Sequence, residues 1–289
     1  MNNGIRIKTR KIKKGSAMAA AAIFAVLLAS AANADSEHPI EEADFEVYAD
    51  GYLYEGDVLS VRDTAYVSLR EFAHMADNSI VWWDEDEETA HVETDSLELT
   101  AGEDSCYIEA NGRMLWCEYG VFTEGGVLFV PLTRAAKAFG FDTFYDHEEN
   151  EVLLTRERSA ITSAEDFYDD DDLYWLSRII HAEAQGEPFL GKVAVGNVIM
   201  NRIEADEFPD TVYDVVFDSG NGVQFTPTAN GAIDNTPNED SVTAAKLCLD
   251  GAELDSDILY FLNMDIATNF WIPQNCRFVM AIGGHDFYA

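Results

Sequence analysis

A glutamate stands between two apolar helical patterns in the segment His181-Ala-Glu183-Ala-Gln-Gly186-Glu187-Pro188. Glu183 is predicted in the last turn of the first helix, which Gly186 ends, because glycine commonly follows a helix C-terminus. Pro188 is tolerated in the first turn of the second helix. A carboxyl group at the edge of the resulting core is partly desolvated, which raises its pKa and keeps it protonated. A protonated carboxyl is the group that general-acid cleavage of a glycosidic bond requires.

Glu183 belongs to a longer pattern, which matters because the chain has 54 acidic residues and a single glutamate is a weak signal. The pattern continues through Asn201-Arg202, Phe208-Pro209, Val223 to Thr226, Leu259 to Asn263, Trp271 and Ile282 to Phe287. Because these segments follow one another in this order, residues 173–289 resemble the cell-wall hydrolase family of the spore-cortex-lytic enzymes (SleB type). The resemblance implies that this part of the chain is a small, lysozyme-like catalytic domain with an α+β fold. It also implies that Glu183 is the catalytic acid.

The implied substrate is peptidoglycan, cut between N-acetylmuramic acid (MurNAc) and N-acetylglucosamine (GlcNAc) by a lytic transglycosylase. Such an enzyme needs one carboxylic acid, which protonates the leaving oxygen and then helps the 6-hydroxyl of the sugar close an anhydro ring. Hydrolysis stays open, because Glu187 or Asp286 could activate water. A hydrolytic muramidase or an amidase on the same polymer is the corresponding alternative. No cofactor and no metal are expected.

Three polar residues, Gln224, Asn263 and His285, are predicted to bind the substrate. Each lies beside a run of strand-forming residues, the first of which is 223–225, so a sheet edge would direct the side chain towards a sugar. For Asn263 and His285 the alternative is a buried residue that satisfies backbone groups.

Two aromatic residues, Phe225 and Trp271, are predicted to stack on a sugar face. Core packing is the alternative for Phe225. Tyr213 and Phe261 are predicted to lie in the core.

An internal repeat occupies the chain upstream. Tyr66 to Ala73 matches Phe129 to Ala136, and Trp82-Trp83-Asp84 matches Phe144-Tyr145-Asp146. Each copy predicts a strand, a short amphipathic helix and a hairpin with an acidic turn. The repeat predicts a separate, β-rich two-repeat α+β domain that precedes the catalytic one.

This upstream region, residues 45–157, resembles the copper amine oxidase N-terminal-like domain of secreted Gram-positive proteins. Despite that name, no copper site is predicted, because His74, His91 and His147 fall on a helix face, a strand and a turn. They are interpreted as structural or surface residues. The domain is expected to serve attachment or spacing at the cell surface, with a purely structural role as the alternative.

The polar segment 158–172, which ends in four aspartates, is predicted to be an acidic linker. Those aspartates also suit the start of the next helix, where the dipole favours negative charge. The peptidoglycan-binding module common upstream in spore-cortex enzymes is replaced by the repeat domain. This favours wall remodelling over a role in germination, with cortex lysis left open.

The first 34 residues have the pattern of a secretory signal peptide: a basic start, an apolar stretch and Ala32-Asn33-Ala34. Cleavage after Ala34 would remove six of the 18 basic residues and none of the 54 acidic ones, leaving a net charge near −42. Such a surface repels nucleic acid and anionic lipid, and no membrane insertion is expected after cleavage. A secreted or cell-wall location follows, with peptidoglycan glycan strands as the expected partner.

Four cysteines would meet oxidising conditions outside the cell. Asn111-Gly112 predicts a hairpin that places Cys106 opposite Cys117. We therefore predict the disulfides Cys106–Cys117 and Cys248–Cys276, although four cysteines allow three pairings.

Two further classes of protein share features with this sequence. His181-x-Glu183 is similar to a zinc deaminase motif, but its Pro-Cys-x-x-Cys partner is absent. A catalytically inactive wall-binding or surface-display protein is the alternative from another class, and the glutamate at position 183 argues against it.

Overall fold

The structure is a computed structural model that describes residues 40–220 and 222–289. The predicted signal peptide lies outside the described residues. Among those described, the chain divides into two compact units, with the boundary between Asp166 and Phe167. In the part of the chain that is described, no helix is long and apolar enough to cross a membrane.

The first unit is rich in short strands. Its strands are β1 (Glu41–Glu42), β2 (Glu46–Ala49), β3 (Tyr52–Leu53), β4 (Val58–Val61), β5 (Thr64–Ser68), β6 (Ile80–Asp84), β7 (Thr89–Glu93), β8 (Glu98–Gly102), β9 (Tyr107–Ala110), β10 (Arg113–Trp116), β11 (Phe122–Glu124), β12 (Val127–Pro131), β13 (Phe141–Asp146) and β14 (Glu151–Arg156). Its helices are α1 (Leu69–Ala76) and α2 (Leu132–Ala138), and α3 (Ala164–Phe167) lies at the boundary.

The predicted repeat is confirmed as strand, helix and hairpin. β5 leads into α1 and the β6–β7 hairpin, and β12 leads into α2 and the β13–β14 hairpin. The two copies meet where β5 and β12 pair antiparallel, with Val67 opposite Val130. Phe72 from the first copy packs on Phe139 from the second, at 5.7 Å between ring centroids. One apolar core therefore serves both copies.

Three sheets surround this core, with strand orders β1-β4-β5-β12-β11, β10-β9-β8-β7-β6 and β13-β14-β2-β3. The pairing of β14 with β2 is parallel, and it joins the end of the unit to its beginning. β6 and β13, the first strands of the two repeat hairpins, are both edge strands.

The predicted Asn111-Gly112 hairpin is confirmed, with Trp116 opposite Tyr107 and the Cys117 amide donating to the Cys106 carbonyl at 2.8 Å. Both turn residues have positive φ, 50° and 77°, as this turn type requires.

Neither predicted disulfide is present, since all four cysteines are free thiols. The Cβ atoms of opposite residues that share backbone hydrogen bonds lie about 5.5 Å apart, whereas a disulfide holds its Cβ atoms about 3.8 Å apart, which accounts for Cys106 and Cys117. Cys248 lies in the core with its Sγ 3.5 Å from the Val193 carbonyl, whereas Cys276 is partly exposed. Burial raises the pKa of Cys106 to about 11 and that of Cys248 to about 12, so both stay protonated at neutral pH.

The second unit consists of helices and one small antiparallel sheet. Its helices are α4 (Asp170–Ala184), α5 (Phe189–Glu204), α6 (Val212–Val216), α7 (Thr226–Asn230), α8 (Glu239–Leu249) and α9 (Trp271–Asn275). The sheet has the order β15-β17-β16, from β15 (Tyr260–Leu262), β16 (Phe278–Ile282) and β17 (His285–Tyr288). With the first unit, this confirms the predicted α+β class.

Helices α4, α5 and α8 pack around an apolar centre that includes Ile179 and Val198. Gly196 allows the close approach of α5 to α8, because a Cβ there would lie 2.5 Å from the Cys248 Sγ. On α5, the side chains of Asn197 and Asn201 donate to backbone carbonyls of the loop that follows α8. These bonds fix the start of the small sheet.

Within the predicted linker 158–172, Ala160 and Ile161 are buried, and α4 begins at Asp170, so the aspartates lie at the start of the helix, as predicted. One local prediction is wrong. Residues 223–225 do not form a strand, because Phe225 is the N-cap of α7 and only an isolated bridge, Gly220 to Gly222, occurs nearby.

Candidate active site

Helix α4 positions Glu183 in its last turn, as predicted. The helix is stabilised at its start by Asp169, whose carboxylate accepts hydrogen bonds from the amides of Asp171 and Asp172. Near its end, the Nδ1 atom of His181 accepts from the Asn238 amide at 3.3 Å. This bond ties the end of α4 to the first residues of α8, so both ends of the helix are held.

The Glu183 side chain is largely withdrawn from water. Burial raises the pKa of this carboxyl from 4.5 to about 7. Desolvation is the cause, and no charged group among the described residues offsets it. A substantial fraction of Glu183 is therefore protonated at neutral pH.

The corner between α4 and α5 is held by bonds to Glu187. Its Oε2 accepts from the Gly284 amide at 2.8 Å, and its backbone carbonyl accepts from the Lys192 Nζ at 2.7 Å. Lys192 is almost fully buried and also pairs with Asp240 of α8, at 3.4 Å. The corner that carries Glu183 is thus joined to the β16–β17 turn and to α8.

The β16–β17 turn also brings two of the predicted binding residues together. A Cβ on Gly284 would lie 3.0 Å from the Asn263 Nδ2, and His285 is the next residue along the chain. A Cβ on Gly283 would lie 2.0 Å from the Glu187 Oε2, so the turn needs glycine there. Glu187, Asn263 and His285 therefore share one neighbourhood.

His285 is buried, with 6% of its surface exposed, and its Nδ1 has no partner among the residues described. Burial lowers the pKa of this imidazole, while the charges of Glu187 and Asp286 raise it. Its ring lies against Phe261, at 5.1 Å. Asn263 is half-buried, and its Oδ1 accepts from the Asp265 amide. His285 is therefore buried, as the structural alternative predicts, but its Nδ1 satisfies no backbone group among the described residues.

Phe225, predicted to stack on sugar, lies in the core with 3% of its surface exposed. Arg202 lies over its ring at 5.2 Å and also over the rings of Phe208 and Tyr260. The Arg202 Nε donates to the Leu259 carbonyl at 2.8 Å. Because Phe225 packs against the buried Arg202 guanidinium and is almost fully covered, its ring has no free face on which a sugar could stack.

The other predicted aromatic and amide residues lie near the surface. Trp271 begins α9 with half of its surface exposed, and its ring is 6.2 Å from Tyr260. The Gln224 Nε2 donates to the Gly222 carbonyl at 3.1 Å instead of extending from a sheet edge. The core prediction for Tyr213 is wrong: its ring is 49% exposed.

Lys192 and Arg202 were missed as site residues. Each is a cation inside the apolar pattern of α5, which is the available signal, because buried cations are rare unless they have partners. The sequence does not indicate which partners these cations have, because most of the partners lie far along the chain. Lys192 pairs with α8, and Arg202 packs on Phe208 and on Tyr260 of the small sheet.

One group of potential metal ligands occurs among the described residues, in the first unit. One ligand atom each from Asp84, Glu87 and His91 lies within 4.8 Å of the others, at the partly exposed β6–β7 turn. The Asp84 carboxylate accepts from the amides of Asp86 and Glu87 and so already caps that turn. The three histidines of this region do not indicate the group, because two of its three members are carboxylates.

Each of the two units matches a known protein family. Residues 186–288 match the Cell Wall Hydrolase family, and residues 54–154 match the copper amine oxidase N-terminal domain. The chain therefore carries a cell wall hydrolase domain at its C-terminus and a copper amine oxidase N-terminal domain upstream, which confirms both predicted resemblances. Glu183 lies three residues before the first residue of the hydrolase match.

Among individual proteins, the spore cortex-lytic enzyme of Halalkalibacterium halodurans is 37% identical over 120 residues, which are 42% of this chain and 35% of the relative. That of Bacillus cereus is 36% identical over 129 residues, 44% of this chain and 47% of the relative. The chain thus spans less than half the length of these relatives. The solved catalytic domain of the germination-specific lytic transglycosylase SleB from Bacillus anthracis is 36% identical; the match covers 97% of that domain and 42% of this chain, with a TM-score of 0.39.

Proposed function

We propose that this protein is an exported enzyme that cleaves the MurNAc–GlcNAc bond of peptidoglycan as a lytic transglycosylase, with Glu183 as its catalytic acid. The observation that carries the proposal is the partly buried Glu183 carboxyl in the last turn of α4, whose pKa desolvation raises to about 7. The sequence similarity to spore cortex-lytic enzymes supports the substrate class.

In this reaction Glu183 acts twice. It donates its proton to the glycosidic oxygen as the bond from that oxygen to the MurNAc anomeric carbon breaks. The 6-hydroxyl of the same sugar then bonds to the anomeric carbon, and the Glu183 carboxylate takes the hydroxyl proton. The carboxyl is regenerated in its starting form, no water is consumed, and the product ends in a 1,6-anhydro ring.

The surroundings of Glu183 suit one carboxyl that exchanges a proton. A carboxyl with a pKa near neutrality can both give and accept a proton at physiological pH. Glu187, one of the two residues that could activate water instead, uses its Oε2 to hold the Gly284 amide. This engagement favours a positioning role for Glu187.

The substrate-binding roles of Asn263, Gln224 and Trp271 belong to the same proposal. Trp271 offers an exposed ring beside Tyr260, and Asn263 offers an amide beside the Gly283-Gly284 turn. Export rests on the pattern of residues 1–34.

The test is mass analysis of fragments released from purified peptidoglycan by the wild-type chain and by Glu183→Gln. Glutamine keeps the shape of the side chain but has no acidic proton, so we expect a loss of at least about 100-fold. We expect anhydro-MurNAc ends in the wild-type products. Reducing ends would indicate hydrolysis, cut peptides would indicate an amidase, and binding without products would indicate a wall-binding protein. Turnover retained in Glu183→Gln would refute the assignment of the acid.

A further inference from the structure

The two repeat hairpins of the first unit expose aromatic rings at matched positions. Trp82 on β6 is 43% exposed, and Phe144 on β13 is 63% exposed. The sequence repeat aligns these two residues, and both lie on edge strands. Large exposed rings do not contribute to a core, so their recurrence in both copies needs another explanation.

Cross-strand pairing shows which sheet face carries each ring. Trp82 is opposite His91, whereas its neighbour Trp83 is opposite the buried Ala90. Phe144 is opposite the half-buried Leu153, whereas Tyr145 is opposite the buried Val152. Because alternate residues of a strand point to opposite faces, Trp82 and Phe144 both lie on the open face of their sheet.

On the first sheet, Trp82 starts a row that crosses four strands. His91, Thr100 and Glu109 follow it in register on β7, β8 and β9. The Trp82 ring is parallel to the His91 ring, with centroids 5.0 Å apart and 6° between the planes. One face of the indole is thus supported by His91, and hydrogen-bonding side chains continue the row.

On the second sheet, Phe144 starts the corresponding row. Leu153 and Tyr48 follow it in register on β14 and β2. The Tyr48 hydroxyl donates to the Glu46 carboxylate at 2.8 Å, which leaves an aromatic ring and a carboxylate side by side. Both sheets therefore combine exposed aromatic surface with adjacent acceptors.

This combination suits a sugar polymer without charge. Ring faces pack against the C–H faces of a pyranose, and carboxylate or hydroxyl oxygens accept from its hydroxyl groups. Glu93, Glu98 and Glu109 lie on the same face as Trp82, so a polyanion would be repelled. On the first sheet, the row beyond Trp82 continues with the polar side chains of His91, Thr100 and Glu109, unlike the continuous apolar patch that a protein partner buries.

We propose that the open sheet faces bearing Trp82 and Phe144 bind neutral β-linked amino-sugar chains. The proposal extends the proposed function by giving the first unit its own contact with a glycan, but it does not depend on cleavage.

The test measures binding of the full chain to chitin beads, an uncharged GlcNAc polymer, in the Glu183→Gln background so that no bond is cut. Trp82→Ala and Phe144→Ala should each weaken binding roughly two- to tenfold, and the double variant more than either. Trp82→Phe keeps a ring and should bind nearly as the parent does. Trp82→Thr keeps strand propensity, so it should weaken binding without a change in thermal unfolding.

Ile80→Ala is the matched control. Ile80 is 64% exposed on the same face as Trp82 but has no ring, so its loss should leave binding unchanged. Equal weakening by Ile80→Ala and Trp82→Ala would mean an apolar protein-docking face and would overturn the proposal. Unchanged binding in the Trp82 and Phe144 double variant would overturn it too, as would binding that falls steeply between 0.05 and 0.5 M salt.

A separate measurement distinguishes this proposal from the proposed function. With Glu183 intact, Trp82→Ala should cleave a short soluble glycan at the wild-type rate. An inactive wild-type chain whose chitin binding still depends on Trp82 would refute the catalytic proposal and support the binding one.

Discussion

Glu183→Gln should change how the stability of the protein depends on pH. The folded carboxyl has a pKa of about 7 against an ordinary value of 4.5, so the fold favours its protonated form. This favourable contribution is fully present below about pH 4.5 and is lost as the pH rises towards about 7. Above pH 7 the cost of the buried carboxylate no longer changes with pH. Glutamine has no such titration.

The magnitude follows from the two pKa values. At about 1.36 kcal/mol per pH unit, the free energy of unfolding of the wild type should fall by about 2–3 kcal/mol relative to Glu183→Gln between pH 5 and pH 8. The difference between two chains is the useful quantity, because the other carboxyl groups titrate in both. Urea unfolding at several pH values in this range gives the measurement.

The control is Glu253→Gln, which removes an exposed glutamate from the same unit. Its unfolding free energy should follow that of the wild type across the range. A constant difference between wild type and Glu183→Gln from pH 5 to pH 8 would refute the reasoning, because Glu183 would then not be desolvated in the folded state.

Four other predictions concern the pH dependence of cleavage, two contacts of the second unit and the charge of the chain. Because Glu183 must be protonated, the rate of cleavage should fall about tenfold per pH unit above pH 7; a flat pH–rate profile would contradict this. Gly196→Ala should destabilise the fold by about 1–2 kcal/mol in urea unfolding, since a Cβ would lie 2.5 Å from the Cys248 Sγ, and Cys248→Ala in the same chain should recover part of the loss. Glu187→Ala should lower the rate, whereas Glu187→Gln keeps an oxygen for the Gly284 amide and should retain most activity; loss in both variants would assign Glu187 a proton-transfer role. Cleavage of intact anionic walls should speed up as salt rises from 0.01 to 0.15 M, as the Debye length falls from about 30 to about 8 Å, and cleavage of a small uncharged fragment should not.

The sequence predicted the local structure correctly where a periodic apolar pattern ends at a turn-forming residue. The repeat, the Asn111-Gly112 hairpin and the helix that ends after Glu183 were all predicted, because local spacing and glycine determine them. The environment of Glu183 also followed, since two apolar helices joined by a tight corner must bury what lies between them.

What could not be predicted depended on partners distant along the chain. Phe225 is buried because its ring packs with those of Phe208 and Tyr260 around the Arg202 guanidinium. The residues near position 225 do not indicate that Arg202 lies there. Tyr213 is exposed although the three valines of α6 are buried. In so short a helix, tertiary packing decides which side faces the core. The missing disulfides have a similar origin, since sequence spacing does not fix the distance between sulfur atoms.

The parallel pairing of β2 with β14 has a mechanical consequence. β2 lies near the start of the first unit and β14 near its end, and the two strands lie side by side with Glu46 opposite Glu151. Tension applied to the two ends pulls the strands past one another along their length. After the two-residue strand β1 peels away, all hydrogen bonds of the pair bear the load at once in shear, instead of opening one by one. A module built in this way resists extension between its ends better than extension across its sheets.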